Sequence, residues 1–138
     1  MNSTTSTNAL GQYRVTNAYG AAAAEDRLQL VLRMMQGAID SVMMARGHIR
    51  RGETGPKGEQ IGRAISLIDG LRVCLDMEAG QEIAANLEAL YSYMINRLSV
   101  ANVGDDDDAL GEVAGLLGEI RAGWQAMSAD YQPEAVGA

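Results

Sequence analysis

Apolar residues recur with helical periodicity in four long stretches of this chain. Within each stretch they follow the i, i+3, i+4, i+7 spacing that places side chains on one face of an α-helix. We therefore predict helices over about residues 26–51, 56–77, 81–103 and 105–128. The predicted core positions are Val31, Met34, Ala38, Val42, Ala45 and Ile49 in the first helix; Ile61, Ala64, Ile65, Ile68, Leu71 and Leu75 in the second; Ile83, Leu87, Leu90, Met94, Leu98 and Ala101 in the third; and Val113, Leu117, Ile120, Trp124 and Met127 in the fourth.

Helix-breaking residues mark the ends of these stretches. Gly52 is expected to end the first helix, Gly80 to separate the second from the third, and Gly104 to close the third. Pro56 suits the first turn of the second helix, and the aspartates at 105–108 suit the start of the fourth, where negative charge offsets exposed N–H groups. Short connections enforce antiparallel neighbours. The predicted fold class is all-α, an antiparallel up-down four-helix bundle with a short N-terminal cap segment or helix.

The chain is expected to form one domain with two flanking segments. Residues 1–23 are predicted to be a flexible N-terminal segment, because residues 1–8 are almost all Ser, Thr and Asn. Leu10 and Tyr13 belong to a short apolar element at 9–19, which is too short to be a stable helix without a surface to lie on. The bundle is assigned to 24–129 and a C-terminal tail to 130–138.

The first predicted helix carries more apolar residues than its core face requires. Leu28, Leu32, Ile39 and Met43 lie to one side of that face and widen the apolar arc to about 180°. Similar extensions occur in the second and third helices, at Leu67, Cys74, Tyr91 and Ile95. Two interpretations remain open: wider burial, inside the bundle or under the N-terminal element, and an exposed groove for a partner helix.

Composition and charge narrow the classes of function. The apolar 47% of the chain contains no Phe and eight Met, which favours helices. A net charge of −7 argues against nucleic acid and anionic membrane as partners. No stretch reaches the roughly 20 apolar residues that span a bilayer, so membrane insertion is not expected. A single Cys and an N-terminus without a signal-peptide pattern indicate the cytosol.

Candidate catalytic chemistry is sparse. The one histidine, His48, and the one cysteine, Cys74, cannot form a usual zinc site, and no Glu-x-x-His pair of a di-iron bundle is present. The aspartates at 105–108 lack the spacing of an EF-hand loop. Cys74 is expected to be a half-buried structural thiol. The sequence therefore predicts neither an enzyme nor a cofactor or metal.

Residues 75–98, LDMEAGQEIAANLEALYSYMINRL, resemble the signature of the flagellar secretion chaperone family, FliS. The likeness extends over about residues 10–127. Met34-Met35-Gln36-Gly37-Ala38 is similar to the family's L-[YF]-[DN]-G-A element, with Met and Gln in place of the aromatic and acidic residues, and Asp26-Arg27 stands where the family often has Ser-Pro. Further matches are Leu10 and Tyr13 in the N-terminal segment, Ala101-Asn102, Glu112-Val113, Leu116-Leu117, Ile120, Ala122 and Trp124.

The resemblance implies an antiparallel helical bundle that binds the C-terminal region of flagellin in the cytosol and prevents its polymerisation before type III export. It also implies that the N-terminal cap occupies part of the apolar surface used by the partner. We expect Leu10 and Tyr13 to dock near Leu28, Leu32, Ile39 and Met43 until flagellin displaces them. Leu67 and Tyr91 complete the predicted partner-binding set. The alternatives are a scaffold for another flagellar export or regulatory protein and, with little support, a helical metalloprotein.

Overall fold

The computed structural model describes residues 24–130, which form four α-helices. We number them α1 (Ala24–Arg50), α2 (Thr54–Val73), α3 (Met77–Gly104) and α4 (Asp107–Asp130). Every regular element in this part of the chain is helical, so the predicted all-α class is confirmed. The predicted cap residues Leu10 and Tyr13 and the tail beyond 130 lie outside the described residues.

Each helix packs chiefly against two neighbours, which closes a four-membered bundle. α1 packs most extensively against α2 and α4, and α3 contacts the same two helices less extensively. The connections are short, spanning 51–53, 74–76 and 105–106, and they enforce antiparallel neighbours as predicted.

The core follows the predicted helical seams closely. Val42, Ile68, Leu98 and Leu117 are fully buried, one on each helix. Met35, which the predicted seam omitted in favour of Met34, is also fully buried, whereas Met34 is only half-buried. The two methionines are adjacent, so a rotation of the helix by one residue exchanges their environments. Burial of side chains of this size stabilises the fold by about 1.5–3 kcal/mol each.

The helix ends differ from the predictions at the connection between α2 and α3. α2 ends at Val73 rather than near Met77, and Cys74 follows as its exposed C-cap. The predictions that Cys74 extends the apolar face and is half-buried are therefore wrong. α3 begins at Met77, where the Asp76 carboxylate accepts a 3.0 Å bond from the Ala79 N–H. The break expected at Gly80 falls one residue later, at Gln81, whose φ of 47° and ψ of −118° interrupt the helix.

The aspartates at 105–108 have separate roles, which corrects the prediction that all four open the last helix. Asp105 ends α3 with left-handed backbone angles, φ 52° and ψ 45°, so the chain turns there and not at Gly104. The carboxylate of Asp106 accepts a 3.1 Å bond from the Ala109 N–H at the start of α4. α4 begins at Asp107, and Asp107 and Asp108 are the acidic residues of its first turn.

Ion pairs concentrate at the end of the bundle that contains the α1–α2 and α3–α4 turns, which we name the paired end. Asp107 binds Arg46 at 2.7 Å and thereby joins α4 to α1. Lys57 is buried, and its Nζ donates to the Asn102 carbonyl at 2.8 Å and to the Asp105 carboxylate at 2.5 Å. The opposite end contains the α2–α3 connection at 74–76, and we name it the junction end.

Candidate partner-binding surface

The predicted residues of α1 lie together on the side of that helix that faces α4. Arg46 occurs about five turns after Leu28, at about the same angle on α1, and it reaches Asp107 of α4. Leu28 and Leu32 are buried, with 5% and 7% of their surface exposed. Ile39 is half-buried, and Met43 is 47% exposed. Of these apolar residues, only Met43 presents a large accessible surface.

Leu67 belongs to α2 and packs against a different side of α1. Its Cδ1 would be 3.2 Å from a Cβ added at Gly37, so Leu67 packs where α2 crosses α1. On the same side, the Arg63 guanidinium donates to the Gly37 carbonyl at 3.1 Å and to the Ser41 hydroxyl at 2.5 Å. Leu67 is therefore part of the α1–α2 contact and is separated from the residues that face α4.

Tyr91 belongs to the interior of the bundle. Its side chain is fully buried and is among the largest fully buried side chains of the described residues. The position is internal because Tyr91 follows Leu87 by four residues and precedes Leu98 by seven, which keeps it on the inward face of α3. The six predicted residues that the structure describes thus occupy three separate places.

The most exposed large apolar side chains are mainly residues that the sequence analysis did not select. They occur on α1, at the α2–α3 connection and on α3, and apart from Met43 none was predicted to bind a partner. Each of them is a bulky apolar residue outside the predicted i, i+3, i+4 seam, and this is the sequence signal that could have identified it. These residues are Leu30 and Met44 on α1, Val73 and Met77 near the connection, and Tyr93, Val100 and Val103 on α3.

Three of the helical glycines permit close contact between helices. A Cβ at Gly70 would lie 2.9 Å from the Met34 methyl carbon, and one at Gly111 would lie 3.0 Å from the Arg46 guanidinium. Gly37 is similarly close to Leu67. By contrast, a Cβ at Gly62, Gly115, Gly118 or Gly123 would meet nothing within 4 Å. Close helix packing therefore explains the first three glycines and not the other four.

A polar cluster joins α3 to α4 next to the exposed apolar residues of α3. The Tyr93 hydroxyl donates to Glu112 at 2.5 Å, and the Arg97 Nε donates to the other oxygen of the same carboxylate at 2.9 Å. The hydrogen bond from Tyr93, followed by that from Arg97, lowers the pKa of Glu112. The same bond raises the pKa of Tyr93. The cluster fixes the side of α3 that faces α4 and holds Tyr93 at its edge.

The remaining candidate catalytic or metal-binding residue, His48, makes a structural contact. His48 Nδ1 lies 2.6 Å from Glu53 Oε1, and this contact, followed by the bond from Arg51, lowers the pKa of Glu53. Among residues 24–130, no three or more His, Cys, Asp and Glu side chains are grouped to hold a metal ion. None of the four described helices is both long and apolar enough to cross a membrane.

Comparison with known proteins identifies a group of close relatives. A sequence model of the family described as flagellar protein FliS matches residues 6–131. The chain is 40% identical over 120 residues to the flagellar secretion chaperone FliSB of Pseudomonas aeruginosa, covering 87% of this chain and 95% of the relative. It is 44% identical over 101 residues to the flagellar secretion chaperone FliS of Salmonella typhimurium, covering 72% of this chain and 75% of the relative. It is 32% identical over 122 residues to the flagellar secretion chaperone FliS of Vibrio cholerae, covering 88% of this chain and 90% of the relative.

Proposed function

The chain belongs to the FliS family of flagellar secretion chaperones, and we propose that it binds the C-terminal region of flagellin in the cytosol. In this proposal, binding prevents flagellin from polymerising before the flagellar type III secretion apparatus exports it. The observation that supports the proposal is the set of large apolar side chains exposed on an acidic helical bundle. Exposed apolar surface of this kind is typical of sites that bind an amphipathic helix.

A disordered client segment explains why such a surface can bind and also release. A segment that folds on docking loses conformational entropy, so its affinity is low for the area that it covers. Met43 and Met44 suit this role, because flexible thioether side chains adapt to differently shaped partners. The complex would therefore be specific and still reversible enough for transfer to the export apparatus.

Calorimetric titration of the full chain with a flagellin C-terminal segment tests the proposal. We expect saturable one-to-one binding, and we expect flagellin that lacks this segment to give no binding heat. Light scattering of polymerising flagellin should fall when the chain is added in equal amount. Binding that does not depend on the C-terminal segment contradicts the proposal.

The predicted cap is a second, separable part of the proposal. Leu10 and Tyr13 would cover apolar residues on the α4-facing side of α1, including Leu32 and Ile39, until flagellin displaces them. A chain without residues 1–19 should then keep its helical circular dichroism and bind the flagellin segment with altered affinity. Equal affinities for the truncated and full chains would remove the cap-displacement idea and leave flagellin binding intact.

The alternative function is a helical scaffold for another flagellar export or regulatory protein. The exposed apolar residues support both functions, because they favour binding of a partner without identifying it. Co-purification from flagellated cells at cytosolic salt separates the two. Recovery of flagellin supports the chaperone function, and recovery of an export-apparatus protein without flagellin supports the scaffold.

A further inference from the structure

The α2–α3 connection lies in a stretch of the chain whose charged side chains are all acidic. Residues 73–96 contain no Lys, Arg or His. Of the carboxylates in this stretch, that of Glu88 is paired with Arg72 of α2 at 3.4 Å. Those of Glu78 and Glu82 are exposed, and neither forms an ion pair with a described residue. The start of α3 therefore presents unpaired negative charge at the junction end.

The cations of the chain lie mainly elsewhere. The first cation on α3 is Arg97, about four turns after Glu82. At the start of α1, the exposed Asp26 and Arg27 offset each other in charge. The paired end differs because its cations lie beside its carboxylates. Those bound to a carboxylate there are Arg46, Arg50, Arg51 and Lys57.

Large apolar side chains are exposed beside the unpaired carboxylates. Val73 is 66% exposed and Met77 is 49% exposed, and they flank the short α2–α3 connection. One turn beyond the contact between Met34 and Gly70, α1 presents Leu30 at the same end, and Leu30 is 46% exposed. The junction end thus combines apolar surface with carboxylates that have no cationic partner in the described part of the chain.

Charge complementarity indicates what can cover this surface. A second copy of the chain carries a net charge of −7, and nucleic acid and anionic lipid are also negative, so all three are repelled. Residues 1–23 of this chain contain one charged side chain, Arg14, which supplies one cation for the two carboxylates of Glu78 and Glu82. The occupant that fits is a segment with Lys or Arg beside apolar side chains, because apolar contact and charge pairing then coincide.

We propose that the junction end is a docking surface for a cationic, apolar segment of a partner protein other than flagellin. Val73 and Met77 contact the apolar side chains of the segment, and Glu78 and Glu82 pair with its Lys or Arg residues. The site is distinct from the α4-facing side of α1, and the inference does not depend on flagellin binding. Because the surface is small and its charges are exposed, the contact is weak and sensitive to salt.

Photo-crosslinking of the full chain tests the inference. A benzophenone amino acid replaces Val73 in one variant and, as the matched control, replaces Val103, an exposed valine at the paired end, in another. Both variants are produced in flagellated bacteria, and mass spectrometry identifies the segment that each captures. We expect the group at position 73 to capture a segment with Lys or Arg beside apolar residues, from a protein that is not flagellin. The group at position 103 should not capture this segment.

Calorimetric titration with the captured segment, as a synthetic peptide, then measures the role of the carboxylates. Glu78→Gln/Glu82→Gln should weaken binding by about threefold or more, and raising the salt from about 0.15 M to about 0.5 M should also weaken it. Glu59→Gln/Asp108→Asn is the matched control, because it removes two exposed carboxylates at the paired end. This control should bind within about twofold of the unmodified chain, since distant exposed charges are screened.

The remaining outcomes overturn the inference. Capture at position 73 of flagellin, of residues 1–23 or of a second copy of the chain identifies a different occupant. Equal capture at positions 73 and 103, or no capture at 73, shows that the junction end is not a docking surface. Equal affinity of the peptide for the two double variants shows that Glu78 and Glu82 do not recognise it. Unchanged circular dichroism confirms that the variants are folded.

A parallel titration with the flagellin C-terminal segment separates this inference from the proposed function. Glu78→Gln/Glu82→Gln should bind that segment as tightly as the unmodified chain does, because the two sites are distinct. A loss of flagellin binding in this variant would place flagellin at the junction end and overturn the inference. If the unmodified chain does not bind flagellin, the proposed function fails and the junction-end site is still decided by the crosslinking.

Discussion

Each end of the bundle contains one non-glycine residue with a positive φ, and the surroundings of that residue differ between the two ends. In the described part of the chain, two residues other than glycine have positive φ, Gln81 at the junction end and Asp105 at the paired end. Asp105 is held by Lys57, whereas Gln81 lies in an exposed helical turn. The comparison teaches that an ion pair holds the strained residue at one end of the molecule, whereas an exposed turn contains it at the other.

The paired end is connected across three helix pairs. Arg46 joins α1 to α4, Lys57 joins α2 to the end of α3, and His48 and Glu53 close the α1–α2 turn. At the junction end, the ion pair between α2 and α3 is Arg72–Glu88, at 3.4 Å and half-exposed, and Val73 and Met77 are exposed. Regions with weaker pairing open locally at lower free energy, and binding surfaces are often drawn from them.

Removal of Lys57 should have the largest effect on stability and should weaken the paired end. Lys57→Ala deletes a buried stem and two charge-assisted hydrogen bonds, so we expect the free energy of unfolding to fall by about 2–3 kcal/mol. Lys57→Met keeps most of the stem and should lose less. Urea denaturation of the three proteins measures this, and equal midpoints for all three would show that the Lys57 contacts do not stabilise the fold.

Asp105→Gly should destabilise despite the better fit of glycine to positive φ. Glycine relieves left-handed strain, but the substitution also leaves the buried Lys57 ammonium without its carboxylate. We expect a net loss of about 1 kcal/mol in the free energy of unfolding. The control is Lys57→Met/Asp105→Gly: in that background the loss should shrink, because no ammonium remains to be paired.

Gln81→Gly should act in the opposite direction. At φ 47° and ψ −118° a side chain is strained, and glycine adopts this region without a Cβ penalty. We expect the free energy of unfolding to rise by about 1 kcal/mol, measured by urea denaturation. A decrease would show that the Gln81 side chain makes a stabilising contact that outweighs the strain, and the contrast between the two ends would then be wrong.

Asp107→Asn should produce the smallest effect and should depend on pH. The hydrogen bond from Arg46 holds the pKa of Asp107 below its usual value, so the folded state binds that proton less readily than the unfolded state does. The resulting stability is present above the unfolded pKa of about 4 and is lost as the pH falls through the folded pKa. At about pH 7 the variant should lose roughly 0.5–1 kcal/mol.

The control for this prediction is the same comparison in acid. Below the folded pKa the unmodified Asp107 is protonated, so the two urea midpoints should converge as the pH falls further below the unfolded pKa of about 4. A gap that is equally wide at both pH values would assign the loss to something other than the carboxylate charge.

The number, order and approximate limits of the helices could be predicted because the apolar spacing repeats strongly within each segment. The core residue Met35 was missed because Met34 and Met35 are adjacent, and a pattern alone leaves the rotation of α1 uncertain by one position. The separate roles of Asp105, Asp106 and Asp107 could not be predicted, because they depend on partners about 50–60 residues away or on local cap geometry.

The candidate surface was harder to predict than the fold. A helical wheel shows that Leu28, Leu32 and Tyr91 are apolar and displaced from the seam, but it does not show which neighbouring helix covers them. The buried Lys57 was missed because lysine side chains are usually exposed, and because its ammonium reaches the end of α3, a contact that no spacing rule encodes.

Hydrogen exchange of the full chain, measured by mass spectrometry with intact flagellin and with flagellin lacking its C-terminal segment, tests the central claim most directly. In the free chain, amides near the junction end should exchange faster than those at the paired end. Intact flagellin should slow exchange in the first half of α1, leave the turn at 51–53 unchanged, and lose these effects when its C-terminal segment is removed. Identical exchange of the chain with the two flagellins would contradict the account.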